Sequence, residues 1–156
     1  VHVAKDAEQA AELAAARRTA LSALARVSPT TLLEDATVPR SKLAETFAEI
    51  ERLTEKYQLT VGTFGHAGDG NLHPTVLCDE RDEDEMRRAH AFYDELYEQV
   101  LAWGGTVSGE HGIGVAKIDY LARQIGPGGV SVMRRIKDAF DPKGLLNPGK
   151  IIDGKQ

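Results

Sequence analysis

Two histidines seven residues apart bracket a glycine-dense turn in Gly65-His66-Ala67-Gly68-Asp69-Gly70-Asn71-Leu72-His73. Apolar or β-branched residues flank it, Leu59-Thr60-Val61-Gly62-Thr63-Phe64 before and Pro74-Thr75-Val76-Leu77 after. The stretch reads as strand, tight connection, strand, with Asp69-Gly70 near the apex of a hairpin. A hairpin folds its ends together, so the two side chains converge. Imidazole is the commonest protein ligand of divalent transition metals, and two converging imidazoles make half of a metal site. A pair of satisfied structural histidines is the other reading, and the stretch alone leaves both open. A second candidate follows in Gly109-Glu110-His111-Gly112-Ile113-Gly114. A carboxylate and an imidazole stand side by side there, between glycines that permit close backbone approach to a ligand. Adjacent side chains on an extended segment point to opposite sides. Glu110 and His111 would then serve different parts of one site, one completing a metal shell and one facing substrate.

The elements that must position these residues are legible in order. Residues 6–26 form an alanine-rich, helix-prone segment whose Leu13, Ala16, Ala20, Leu24 and Val27 fall at helical spacing and predict a buried stripe. Arg17 and Arg18 near its middle read, on pattern alone, as a solvated basic face. Ser28-Pro29 ends this helix, and residues 30–38 read as a strand closed by Pro39. Ser41 is the expected N-cap of a second helix with Leu43, Phe47, Ile50, Leu53 and Tyr57 as its apolar stripe. After the hairpin, the charged run from Asp79 to Glu85 passes into a helix that continues to about Ala102. That helix should bury Ala89, Phe92, Tyr93, Leu96 and Val100, with His90 structural or exposed. Gly104-Gly105 ends it, and Thr106-Val107-Ser108 is a short strand leading into the Glu110-His111 loop. Residues 118–125 and 130–140 are two further helical pieces separated by Gly126-Pro127-Gly128-Gly129. From Thr30 onward the order is β-α-β-β-α-β, which predicts an α+β, ferredoxin-like antiparallel sheet with helices on one face and flanking N- and C-terminal helices.

Composition bounds the function. The 156 residues suit a single domain spanning 1–156, with 42% hydrophobic and 28% charged residues and no apolar run long enough to span a bilayer. A formal net charge of -5 argues against nucleic acid or an anionic membrane as partner. The single Cys78 excludes an internal disulfide framework, suits a cytoplasmic setting, and reads as a core-packing residue. Val1 where an initiator Met would stand points to a piece of a longer protein or to trimming.

The hairpin motif with Pro74, the stretch Ser108-Gly109-Glu110-His111-Gly112-Ile113-Gly114, and Asp141-Pro142-Lys143-Gly144-Leu145-Leu146-Asn147-Pro148-Gly149-Lys150 occur in an order and spacing that closely resemble a known family. It is the C-terminal domain of FAD-linked oxidases, the D-lactate dehydrogenase, glycolate oxidase D-subunit and D-2-hydroxyglutarate dehydrogenase group of the vanillyl-alcohol oxidase superfamily. The run Glu34-Asp35-Ala36-Thr37-Val38-Pro39-Arg40-Ser41-Lys42-Leu43 resembles a fourth stretch of the same family. The resemblance implies that His66, His73 and Glu110 bind a divalent ion, Zn²⁺ foremost, with Mn²⁺ or Fe²⁺ also suited. It implies that His111 is the general base for the substrate hydroxyl and lies, with Asn71, beside the flavin, and that Asn147 approaches the flavin from the tail. Arg17 matches the family's carboxylate-binding arginine, with Arg18 the alternative if the alignment slips by one, because Ala14 stands where the family has Trp. Leu33 replaces a lysine of the hydroxyglutarate-type members and favours a small or apolar 2-hydroxy acid. Thr75 stands where some members have asparagine, so that role is not carried over.

The same resemblance implies FAD bound mainly by an N-terminal FAD-binding domain outside this chain, an electron acceptor, hydride transfer from the substrate α-carbon to FAD, and no redox turnover by this part alone. The full-length protein would be cytoplasmic or peripheral to a membrane, and a homodimer stays open. Two other functions fit the residues: a stand-alone metal-dependent hydrolase using the His66, His73 and Glu110 shell, and a non-catalytic small-molecule-binding module.

Overall fold

The computed structural model describes residues 3–152, apart from the Arg17 side chain. The elements are α1 (Ala7–Leu24), β1 (Thr30–Leu33), β2 (Ala36–Thr37), a single 3₁₀ turn (Arg40–Lys42), α2 (Leu43–Tyr57), β3 (Thr60–His66), β4 (Asn71–Cys78), α3 (Glu83–Ala102) and α4 (Ile118–Phe140). Strand β4 is central and buried along its whole length. It pairs antiparallel with β3 on one side and with β1 and β2, placed end to end, on the other. Outside β2 lies one further antiparallel bridge, Thr37 to Thr106. The lateral order is therefore Thr106 segment, β1/β2, β4, β3, which is the ferredoxin-like order expected of an α+β chain.

Strand alternation assigns the two faces of the sheet. Leu72, Val76 and Cys78 point to one side and join Ile50 and Leu53 of α2 and Ala89, Phe92, Tyr93, Leu96, Tyr97 and Val100 of α3 in one core. Every residue expected to be buried on α3 is buried, Cys78 packs in the core, and His90 is exposed. Asp82 caps α3 by accepting from the amides of Asp84 and Glu85 at 2.9 and 3.1 Å, satisfying donors that the helix leaves open. Residues Asn71, His73 and Thr75 of β4 and Phe64 and His66 of β3 share the opposite face, since Phe64 is opposite His73 and His66 opposite Asn71. Helix α1 meets the sheet on this second face, where a Cβ on Gly62 would come within 2.7 Å of Leu24. No helix among the described residues is long and apolar enough to cross a membrane.

Four expectations need correction. The strand over residues 30–38 is broken at Glu34-Asp35. Pro74 of β4 faces the break: its carbonyl accepts from the Glu34 amide at 3.3 Å, but it has no N–H to return, so the ladder cannot continue. The stripe predicted for α1 is not fully buried; Leu13 is 41% and Val27 63% exposed, and Ala20 and Leu24 are half-buried, Leu24 lying beside Gly62 of the sheet. Alanine-rich faces carry little apolar area to drive burial. Ser41 does not cap α2, because the 3₁₀ turn moves the helix start to Leu43 and puts Lys42 at the cap, its carbonyl accepting from the Thr46 hydroxyl at 2.7 Å. The α2 stripe otherwise packs as expected, with Ile50 and Leu53 in the core and Leu43 and Tyr57 against it, while Phe47 is exposed and Thr46 is buried. Finally, Thr106-Val107-Ser108 makes one bridge instead of a strand. The Val107 amide turns to Gln124 Oε1 at 3.1 Å, and the chain after it is drawn elsewhere. The split of α4 is as expected: Gly126 adopts φ 67° and breaks the helical path before Pro127.

The gap between β1 and β2 is closed by side chains. The Tyr97 hydroxyl meets Glu34 Oε2 at 3.0 Å and the Asp35 carbonyl at 3.1 Å. Lys117, 3% exposed, reaches in from the start of α4 to Glu34 Oε2 at 2.9 Å, the Asp35 carboxylate, and the carbonyls of Asp35 and Val107 at 3.0 and 2.9 Å. Asp35 has no exposed surface. Burial alone would push its carboxyl up, but hydrogen bonds from the Glu110 amide, the Lys117 ammonium and the His111 amide outweigh that and hold it well below the ordinary range.

Phe92→Ala should lower the unfolding free energy by about 3–5 kcal/mol, read as a shifted urea midpoint at unchanged slope. A loss below about 1 kcal/mol would show that α3 is not what holds the sheet. Because the folded-state value of Asp35 is depressed, its stabilisation is complete above the unfolded carboxyl value of about 3.9 and is lost as pH falls below it. Between about pH 5 and pH 3 the wild-type urea midpoint should fall more steeply than that of Asp35→Asn/Lys117→Met, in which both members of the pair are neutral. Parallel curves would remove Asp35 from the acid response.

Candidate functional site

The β3–β4 hairpin places its two histidines on the face not covered by α2 and α3. The turn between them is tight: Gly70 adopts φ 74°, and a Cβ there would lie 2.1 Å from the Val38 carbonyl oxygen. Only glycine accepts both conditions. The same close approach lets the Val38 amide donate to the Gly70 carbonyl at 2.9 Å, tying the turn to the segment after β2. His73, in the central strand, is 3% exposed, while His66 at the hairpin edge is about one-third exposed.

The loop after Thr106 brings Glu110 against both imidazoles. Its Oε1 lies 2.9 Å from His73 Nε2 and 3.2 Å from His66 Nε2. One ligand atom from each of the three residues falls within a sphere of mutual distances no greater than 4.8 Å. His111 follows the same loop, and its ring stacks on His73 with centroids 4.9 Å apart and planes 9° from parallel. His66 meets His73 edge-on at 5.4 Å, and Phe64 covers the remaining side of His73 at 5.2 Å. Burial pushes the His73 imidazole below its ordinary value; His111 and His66 add to this and Glu110 opposes it. The neutral form that results is the form that ligates metals.

The loop is anchored from beneath by Asp35. Its Oδ2 accepts from the amides of Gly109, Glu110 and His111 at 2.8, 2.8 and 3.1 Å and from the Ser108 hydroxyl at 3.2 Å. Ser108 Oγ in turn accepts from the Gly112 amide at 2.8 Å. Close packing fixes the loop from above: a Cβ on Gly109 would lie 2.2 Å from Thr37 Oγ1 and 2.8 Å from the Asn71 amide. Thr37, His66, Asp69, Asn71, Gly109 and Glu110 line a small open cleft at this point.

Two imidazole nitrogens and one carboxylate oxygen, converging from a strand pair and a loop with one side open to the cleft, match a three-ligand site with a free position. Thr37 Oγ1, Asn71 Oδ1 and His73 Nδ1 are the buried side-chain polar atoms without a protein partner among the described residues. Such atoms are rare because each one costs desolvation energy, and all three belong to residues of this cluster or its cleft. The residues present fit a divalent ion.

Of the residues singled out from the sequence, His66, His73, Glu110, His111 and Asn71 come together here. Arg18 does not; it is exposed on α1 and is not among the residues that line the cleft. The Arg17 side chain lies outside the described residues, although its backbone is part of α1, the helix that meets the site-bearing face. Asn147 sits in the closing turn at φ 48° and lines a different cleft with Arg134 and Lys137. The tail does return to the site loop through the Ile151 amide, which donates to the Gly114 carbonyl at 2.7 Å. Leu33 pairs with Thr75 and so shares the face of His73. Sequence reasoning missed Asp35 and Lys117 as individuals. The signal was an acid pair, Glu34-Asp35, interrupting a run of β-branched and apolar residues that must pair with the central strand.

Comparison with known proteins places this arrangement. A family model described as FAD linked oxidases, C-terminal domain, matches residues 1–151. The chain is 50% identical over 151 residues to glycolate oxidase subunit GlcD of Bacillus subtilis (strain 168), an alignment covering 97% of this chain and 32% of that protein. It is 43% identical over 118 residues to a D-lactate dehydrogenase of Anaerostipes hadrus, covering 75% of this chain and 25% of that one. The chain thus spans a third or less of the length of these relatives. Among solved structures, a 4-ethylphenol oxidase from Gulosibacter chungangensis in complex with isoeugenol shares the fold at a TM-score of 0.64 and 20% identity, covering 96% of this chain and 31% of that one. With its sheet order, its hairpin and the family match all in agreement, the chain belongs to the FAD linked oxidases, C-terminal domain family.

Proposed function

We propose that the whole protein is a flavin-dependent dehydrogenase or oxidase of small 2-hydroxy acids, of the glycolate or D-lactate type, and that this domain forms its metal and substrate side. The observation that carries the reading is the meeting of His66, His73 and Glu110 around one carboxylate oxygen, with His111 stacked beside them. Relatives aligned over 97% of the chain are named glycolate oxidase subunit GlcD, and others, one of them aligned over 96% of it, are named D-lactate dehydrogenase. In this reading FAD is held mainly by an N-terminal FAD-binding domain outside the chain, and electrons leave to a separate acceptor.

His66, His73 and Glu110 would hold the divalent ion, Zn²⁺ by preference for an imidazole-rich set with one open position, with Mn²⁺ and Fe²⁺ as substitutes. When bound, the ion would supply Lewis-acid polarisation of the substrate hydroxyl, and the flavin would supply the hydride acceptor that no side chain can provide. The chain's own residues do the rest. Arg17, or Arg18 if the register slips by one, pairs with the substrate carboxylate, a role that rests on the match of α1 to the family's carboxylate-binding helix. His111 accepts the hydroxyl proton as the α-carbon gives up its hydride, and the substrate leaves as a 2-oxo acid. Stacking on the buried His73 ring restricts His111 to one plane, which suits a base that must meet one proton. Asn71 and Asn147 are assigned to the flavin side. Leu33, on the same face as His73, favours a substrate with a short or apolar side chain over one with a second carboxylate.

Elemental analysis of the purified protein should find one divalent ion per chain, absent from His66→Ala/His73→Ala. No ion in either, after reloading with Zn²⁺ or Mn²⁺, would remove the metal role. In the full-length protein His111→Ala should retain the ion yet slow flavin reduction by 2-hydroxy acids about 10²–10⁴-fold. Reduction at the wild-type rate would exclude His111 as the base.

A further inference from the structure

Glu110 is the member of the metal cluster that regular structure does not hold. His66 and His73 stand on paired strands, but residues 108–114 form an irregular loop with a single bridge at Thr106 before it. A half-exposed glutamate on such a loop would ordinarily sample many positions, and ordering it for ligation would cost conformational entropy. Three successive amides and a hydroxyl, those of Gly109, Glu110, His111 and Ser108, instead converge on one oxygen of the buried Asp35. Successive backbone N–H groups make a concave anion site, and here the anion is supplied by the protein's own side chain.

We propose that Asp35, held in place by Lys117, is a positioning residue that fixes the Glu110 carboxylate for metal binding and the His111 ring for its approach to substrate. This inference rests on the metal reading given above. The division of labour between the two carboxylate oxygens supports it. Oδ2 takes the loop amides, and Oδ1 takes the Lys117 ammonium, whose other two hydrogen bonds run to the carbonyls of Asp35 and Val107 and which also forms an ion pair with Glu34. Lys117 therefore fixes both the segment that carries Asp35 and the residue just before the loop. An asparagine at position 35 could not reproduce this, because its NH₂ would face either the loop amides or the ammonium, donor against donor. A buried pair of this kind contributes little net stability compared with an apolar replacement. Positioning a ligand is a function that an apolar replacement would lack.

The test uses the full-length protein stripped of metal and titrated with Co²⁺, following affinity and the visible d–d absorption that reports ligand number. Asp35→Asn and Asp35→Asn/Lys117→Met are compared with wild type, the double variant avoiding an unpaired buried ammonium. Ser108→Ala removes one donor and leaves the charge pair intact. Leu53→Ala, on α2 in the core, serves as a control that lowers stability without touching the loop. Co²⁺ affinity should fall about 10–100-fold in the position-35 variants and by a smaller factor in Ser108→Ala, with a spectrum shifted by loss of Glu110 as ligand. Leu53→Ala should bind as wild type does. Wild-type affinity and spectrum in folded position-35 variants, or in Ser108→Ala should those fail to fold, would overturn this inference and leave the metal reading intact. Failure of wild type to bind Co²⁺ would overturn both.

Discussion

The arrangement depends on one buried carboxylate. Asp35 sits where β1 and β2 part, with no exposed surface, and its position there follows from a defect in the neighbouring strand: Pro74 cannot donate to the ladder, so the pairing strand gives way opposite it. The two residues released from pairing are acids. One accepts from a tyrosine and is ion-paired with a lysine; the other accepts from the same lysine and from the loop that carries Glu110 and His111. An ionised group in such a place is tolerable only because every direction around it is occupied by a donor. The proline, the strand break, the ion pair and the loop conformation are thus links in one physical sequence.

The candidate site is assembled from parts of unequal rigidity. His73 lies in the strand with the most neighbours and is nearly inaccessible, His66 lies at the hairpin edge, and Glu110 lies on a loop. The gradient runs from the core outward, so exchange with solvent enters from the Glu110 and His66 side, where the cleft opens. The unpartnered oxygens of Thr37 and Asn71 border that same opening. A site built this way keeps its deepest ligand fixed and leaves access to its outer ones.

Much of this was legible in the sequence, and the reasons are specific. The hairpin announced itself through glycine and alternation, and α3 through an unbroken helical period capped by an acid-rich first turn. The pairing of Glu110 with two histidines 44 and 37 residues upstream was not derivable from spacing; it came from resemblance to a family and then appeared in the geometry. What the sequence concealed was long-range polar structure. Nothing local marks Lys117 as a buried cation or Asp35 as its partner, because each looks like an ordinary surface charge until the fold brings them together. The α1 stripe failed for the opposite reason: a correct helical period says which residues share a face, but not whether anything covers it. The start of α2 failed because a good capping residue was overruled by a 3₁₀ turn that Thr46 stabilises from below.

The pairing of Phe64 with His73 and of His66 with Asn71 makes the four residues of the turn, Ala67 to Gly70, a ruler as well as a connection. Side chains alternate faces along a strand, so adding or removing a single residue in that turn would either slide one strand past the other or turn one imidazole into the helical core. Elsewhere on the surface a loop can grow by a residue with small thermodynamic effect. Here the length of a four-residue turn is itself a part of the chemistry, and Gly70, held at positive φ against the Val38 carbonyl, fixes where that length ends.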